Sequence, residues 1–276
     1  MGNHSSDFEC EVIAAALNEQ GFLFQKRVAE LIIEKNPDGK SHPHDWYREA
    51  IEYPITFAGE NTRVDIVLRL RTSRERRQIY ATIECKRSNP LYKYWVFFDP
   101  PQDGYAAYFF ESRTLAEGPL IRKIPTVDPV FRFYLEARID RGGKSFSATT
   151  AIEDAFQQVT LGTSGLFERL RGAGLKDFLI VPIVVTTAKI FSATFGGAGV
   201  DPETGIVKAE DVSREKKDWL AVNYSIGDER RHLHGADATG TNIQKDIETR
   251  FLRTVFVVQA KSINEFFGWL GRRDWD

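Results

Sequence analysis

The spacing of apolar residues changes along the chain, and each change predicts an element. Phe8, Val12, Ala15 and Ala16 recur at helical spacing, Gly21 breaks the pattern, and "FLFQKRVAELIIEK" resumes it with Val28, Leu31 and Ile32. Two short helices or one kinked helix are therefore expected over residues 7 to 35, followed by a loop at "NPDGKSHPHDW". The period then drops to two: "EYPITF", "TRVDIVLRLR" and "QIYATIECKR" predict three strands, the last two joined by a turn at "TSRERR". From Pro90 to Thr149 the pattern is irregular and rich in aromatics, as expected of an excursion with small strands of its own. Thr150-x-x-Glu153 reads as a capping box opening the helix "AIEDAFQQVTL", which "GTSG" is expected to interrupt before "LFERLR". "FLIVPIVVTT" is nearly continuous in apolar residues, as in a central strand covered on both faces, and "AKIFSATF" follows as another strand. "TNIQKDIETRFL" predicts a helix, "TVFVVQA" a buried strand, and Ser262-x-x-Glu265 the start of a last helix, "INEFFGWL". Helices before, between and after the strands predict an α/β fold, with helices layered around a mixed sheet.

Length and composition narrow this picture. The 276 residues are enough for one large core, and the expected organisation is a single domain, 1–276, elaborated by the excursion at about 90–149. Cys10 and Cys85 are the only cysteines, which points to reduced thiols in a cytoplasmic protein. No apolar run reaches the length of a membrane span, so no membrane partner is expected. The opening "MGNHSS" fits an acylation pattern, but Ser6-x-x-Glu9 also makes it a helix cap, the reading preferred here.

One strand raises a chemical question. In residues 79–87 alternation places Ile79, Ala81, Ile83 and Cys85 on one face and Tyr80, Thr82, Glu84 and Lys86 on the other. On a surface strand Glu84 and Lys86 would be a solvated ion pair worth little. If the preceding hairpin closes about Arg74-Glu75, however, paired positions sum to 149, and Asp65 falls opposite Glu84 and Arg63 opposite Lys86. Two facing carboxylates, with Cβ atoms about 4.5–5.5 Å apart, destabilise a sheet unless a positive charge lies between them. A divalent cation such as Mg²⁺ supplies that charge and is typically held by one or two carboxylates plus substrate phosphates. The Cys85 carbonyl would be a further oxygen ligand, and Lys86 would stand beside a bound water or phosphate.

An Asp on one strand, Glu-x-Lys on the next and a preceding helix resemble the PD-(D/E)XK nuclease superfamily, over roughly residues 21–87. The resemblance implies a three-layer restriction-endonuclease-like core in which a central mixed β-sheet is flanked by helices. It implies Asp65 and Glu84 as ligands of Mg²⁺ or Mn²⁺, with Lys86 activating or positioning the water, and hydrolysis of phosphodiester bonds, most naturally in DNA. A helix Glu often completes such sites in a Gly-x-x-x-Glu pattern; here Gly21 is followed by Gln25, so that position lacks a carboxylate unless Glu19 or Glu30 substitutes. Val64 replaces the usual Pro, and Gln157 followed by Leu161 matches only half of a Gln-x-x-x-Tyr pattern. Two rival readings stay open: a nuclease-fold binding module without turnover, towards which Gln25 points, and an interaction protein that docks a partner through the aromatic excursion.

The net charge of −2 carries no global basic signature, but residues 63–93 hold nine Lys/Arg against three acids. Arg63, Arg69, Arg87 and Lys93 are the candidate nucleic-acid contacts, whereas Arg74, Arg76 and Arg77 serve equally well to solubilise a turn. Tyr92, Tyr94, Trp95, Phe97 and Phe98 suit either base stacking or a satellite core, the latter preferred. A homodimer is compatible with all of this. "HPH" at 42–44 and "HLH" at 232–234 lack supporting cysteines for zinc, "GGKS" lacks the first glycine of a phosphate-binding loop, and "GTSG" and "FGGAG" read as turns.

Overall fold

The structure is a computed structural model that describes residues 10–14, 16–17, 21–33, 46–57, 59–70, 77–88, 93–98, 106–113, 120–126, 128–139, 145–148, 150–196, 199–225 and 252–273. The expected N-terminal cap, both histidine pairs, the tip residues Arg74 and Arg76, and the helix expected at "TNIQKDIETRFL" as far as Phe251 lie outside the described residues. The chain is an α/β protein whose large mixed sheet is flanked by helices. Its elements in chain order are α1 (Phe22–Ile33), β1 (Trp46–Phe57), β2 (Glu60–Leu70), β3 (Gln78–Lys86), β4 (Lys93–Phe98), β5 (Ala106–Ser112), β6 (Leu120–Pro125), β7 (Val130–Phe131), β8 (Phe133–Ile139) and β9 (Ser145–Ala148). There follow α2 (Thr150–Gly172), β10 (Phe178–Thr186), β11 (Lys189–Phe195), β12 (Val212–Lys217), β13 (Trp219–Ser225), β14 (Leu252–Gln259) and α3 (Ile263–Arg272). Among the described residues the strands form two sheets.

The larger sheet runs β1-β2-β3-β10-β14-β13-β7, with β5 and β6 added beside the first half of β10. β3, β10 and β14 are parallel, and the hairpins around them are antiparallel. β10 is buried along its whole length, as its unbroken apolar sequence requires. Its alternation splits the core: Leu179, Val181, Ile183 and Val185 pack with α1 and α3, while Phe178, Ile180 and Val184 pack on the side of α2. The smaller sheet, β12-β11-β4-β8-β9, presses Trp95, Phe97 and Ile190 against Ile152, Ala155, Phe156 and Val159 of α2. Trp95 and Phe97 are thus core residues and unavailable for stacking. No described helix is long and apolar enough to cross a membrane.

Two local expectations need correction. "GTSG" does not interrupt a helix, because α2 runs unbroken from Thr150 through Gly162 and Gly165 to Gly172. These glycines serve close approach: a Cβ on Gly162 would run into Val64 Cγ2, and one on Gly165 into Ile55 Cγ2. Ser262 does precede α3, but it makes no side-chain cap and its hydroxyl serves Asp218 instead.

Helix propensity alone favours Gly165→Ala by about 1 kcal/mol. Here the added methyl must displace Ile55, so urea denaturation is expected to show a loss of about 1–3 kcal/mol. A stabilised variant would mean that α2 does not lie this close to β1.

Candidate active site

β2 and β3 pair from Leu70↔Ile79 to Ile66↔Ile83, the register expected from a turn at Arg74-Glu75, and the ladder stops one position short of Asp65 and Glu84. β3 stays paired with β10 as far as Lys86↔Thr186, so it is β2 that leaves. At this fork the Asp65 carboxylate takes the place of a backbone acceptor, its Oδ2 accepting the Cys85 N–H at 2.7 Å. The N–H and C=O of one residue in an extended strand point to the same side, so the Cys85 carbonyl also faces the fork. The next carbonyl, that of Lys86, is on the β10 side, accepting from the Thr187 N–H at 3.4 Å. The β1–β2 ladder skips the same place: Ile51↔Ile66 and Tyr53↔Val64 flank an unpaired Glu52 and Asp65. Glu52 has φ 53°, a left-handed conformation that costs a non-glycine residue on the order of 1–3 kcal/mol.

Side chains from two strands and two helices converge on the fork. Lys86 Nζ lies 2.8 Å from Glu84 Oε1 and donates to Gln158 Oε1 of α2 at 2.5 Å. From α1, the buried Gln25 donates through Nε2 to the Asp65 carbonyl at 2.8 Å. Burial pushes the Asp65 carboxyl up to about 6, partly offset by the Cys85 N–H, with the Glu52 charge adding to the rise. Burial pushes Glu84 up to about 7, and the Asp65 charge raises it further against the pull of Lys86. The Cys85 thiol is driven well above its ordinary value, first by burial and then by the two carboxylates, so it stays protonated.

Two carboxylates and a carbonyl at the fork make an all-oxygen donor set of the kind hard cations prefer. Each carboxylate commits one oxygen to its neighbour and has a second to offer. Among the described residues no group of three or more His, Cys, Asp and Glu side chains is gathered, so this is no all-protein cage. The set fits an ion that takes its remaining ligands from water and substrate.

Of the residues singled out in the sequence, Asp65, Glu84, Cys85, Lys86 and Gln25 come together here, with Arg63 at the rim. Arg63 is occupied by Glu52 at 2.9 Å. Arg87 is exposed just beyond β3. Arg69 and Lys93 are not at the fork: Arg69 lies further along β2 and pairs with Glu49 at 2.5 Å, while Lys93 is on the smaller sheet, 3.7 Å from Glu136. Arg77, at the other end of β3, pairs with the buried Glu111 at 3.0 Å. These partners offset much of the positive charge counted along the segment. Glu30 pairs with Arg27 at 3.6 Å on α1, and Glu19 is outside the described residues.

Sequence reasoning missed Gln158 and Glu52. Gln158 lies one helical turn before Gly162, so reading that glycine as a close-approach position would have turned Gln158 towards β3. Glu52 faces Asp65 once the β1–β2 hairpin closes at Gly59, whose φ of 81° suits a tight turn. Comparison of the chain with protein-family models, curated proteins and solved structures finds no match.

The raised acids fix the sign of a pH effect. Their ordinary values are 3.8 and 4.5, so the folded state holds protons that the unfolded state has released, and stability is lost as pH rises through about 6 to 7. Without divalent cation, chemical denaturation at about pH 5 and about pH 8 is expected to differ by a few kcal/mol, with the difference smaller in Glu84→Gln. An unchanged difference in that variant would remove Glu84 from the buried pair.

Proposed function

We propose that this chain is a divalent-metal-dependent nuclease of restriction-endonuclease-like architecture, hydrolysing phosphodiester bonds of nucleic acid, with DNA the favoured substrate. The observation that carries the proposal is the convergence of the half-buried Asp65 carboxylate and the buried Glu84 carboxylate beside Lys86 at the point where β2 leaves β3. A buried pair of like charges is costly by itself and is relieved by a cation. Mg²⁺ or Mn²⁺ held by Asp65, Glu84 and the Cys85 carbonyl would lower the pKa of a bound water and neutralise charge on the attacked phosphate.

The chain's own groups divide the remaining work. Asp65 is oriented from both sides, by the Cys85 N–H on its carboxylate and by the Gln25 amide on its carbonyl. Lys86, held between Glu84 and Gln158, presents an ammonium that orients the nucleophile and stabilises charge developing on phosphate oxygens. Beside the fork, a groove of about 770 Å³ lined by Thr56, Asn61, Thr62, Arg63, Glu168 and Arg169 offers a backbone a path past Arg63.

A second reading, a binding module without turnover, is favoured by one observation: Gln25 spends its amide on the Asp65 carbonyl and supplies no carboxylate.

The two readings separate in a cleavage assay on single-stranded, duplex and branched oligonucleotides. The nuclease requires Mg²⁺ or Mn²⁺, stops with a chelator, and is lost in Asp65→Asn and Glu84→Gln. Lys86→Ala is expected to keep metal binding while the rate falls by about 10²–10⁴. Binding of metal and nucleic acid with no cleavage of any of these substrates would leave the binding module.

A further inference from the structure

The outer face of the smaller sheet stands apart from the fork, and its residues follow from register alone. Opposite the buried Trp95 and Phe97, β4 turns Tyr94, Val96 and Phe98 outward; the paired positions are Phe133, Leu135 and Ala137 on β8, and Lys189, Phe191 and Ala193 on β11. β12 continues the face with Val212, Arg214 and Lys216, of which Val212 pairs with Phe195. Phe133 and Phe195 are 52% and 38% exposed, an unusual state for such large apolar rings. Both lie against Phe98, with ring centroids 5.9 and 6.1 Å away. Cations border these rings: Lys189 Nζ is 5.4 Å from the Tyr94 ring centre, and the Arg214 guanidinium 5.7 Å from that of Phe191. Among the described residues this face carries Lys189, Arg214 and Lys216 and no acid, since Glu136 and Glu215 belong to the alternate positions.

We propose that the aromatic face of the β12-β11-β4-β8-β9 sheet binds single-stranded nucleic acid, its bases stacking on the exposed Phe133 and Phe195, which rest on Phe98, and its phosphates meeting Lys189, Arg214 and Lys216. Flat rings with open faces accept unpaired bases without regard to sequence, and the one-signed charge selects a polyanion over an ordinary protein surface. A duplex hides its base faces in its own stack and is the poorer fit. This surface stands independently of the metal site.

Fluorescence anisotropy tests it, with labelled oligothymidylate and oligouridylate of about a dozen nucleotides and a duplex of equal length. EDTA is present throughout, so no reading depends on cleavage. Both single strands are expected to bind more tightly than the duplex. Phe133→Ala with Phe195→Ala should weaken that binding by roughly tenfold or more, and each of Arg214→Ala and Lys216→Ala should lower the salt slope by about 0.7. EDTA removes any metal from the fork, so a failed nuclease reading leaves this one standing. Circular dichroism confirms that the exposed substitutions keep the fold. Duplex binding equal to single-strand binding, or affinity unmoved by the paired substitution, overturns the proposal. So does concentration-dependent self-association that Phe133→Asp abolishes, which makes the face a protein interface.

Discussion

Two carboxylates where adjoining strands part, one half-buried and one buried, are the constraint around which this molecule is arranged. Burying a charge is costly unless it is paired, and the two groups here answer that cost by different means. Asp65 borrows a backbone N–H that the separating ladder has released, and Glu84 takes an ammonium from its own strand two residues on. Neither arrangement restores an ordinary carboxyl pKa. The residual demand for positive charge is the chemical property that makes the fork a candidate metal site and sets it apart from a surface ion pair.

The fork depends on what surrounds it. Apolar layers on both faces of the large sheet hold β3 against β10, so β2 departs while β3 keeps its position. Gly162 and Gly165 bring α2 within touching distance of Val64 and Ile55, and that approach carries Gln158 to Lys86. On the opposite side α1 seats Val28, Ala29 and Ile32 in the core and so delivers Gln25 to the Asp65 backbone. A change in helix packing far from any charge would therefore reach the lysine.

Much of this was legible in the sequence because period-two patterns and a short turn determine register. The Asp65, Glu84 and Lys86 constellation follows from the symmetry of one hairpin, and the central position of β10 from its unbroken apolar run. What escaped belongs to contacts between elements distant in sequence. A glycine inside a helix looks like an interruption until the strand it must touch is known, as at Gly165. A positive charge on a strand looks like a phosphate contact until its acid appears across the sheet, as Glu49 does for Arg69 and Glu136 for Lys93. The second sheet was similarly hidden, since β4, β8 and β9 join it while β5, β6 and β7 of the same irregular stretch join the first.

On the proposed reading, protons shared by Asp65 and Glu84 are displaced when a divalent cation binds between them. Isothermal calorimetry of Mn²⁺ binding near pH 6.5, in two buffers of different ionisation enthalpy, counts those protons directly. One site is expected, whose occupation releases protons, more of them at about pH 6 than at about pH 8, and no such site in Asp65→Asn. Binding without proton release, or binding that survives the loss of Asp65, would rule out this metal site.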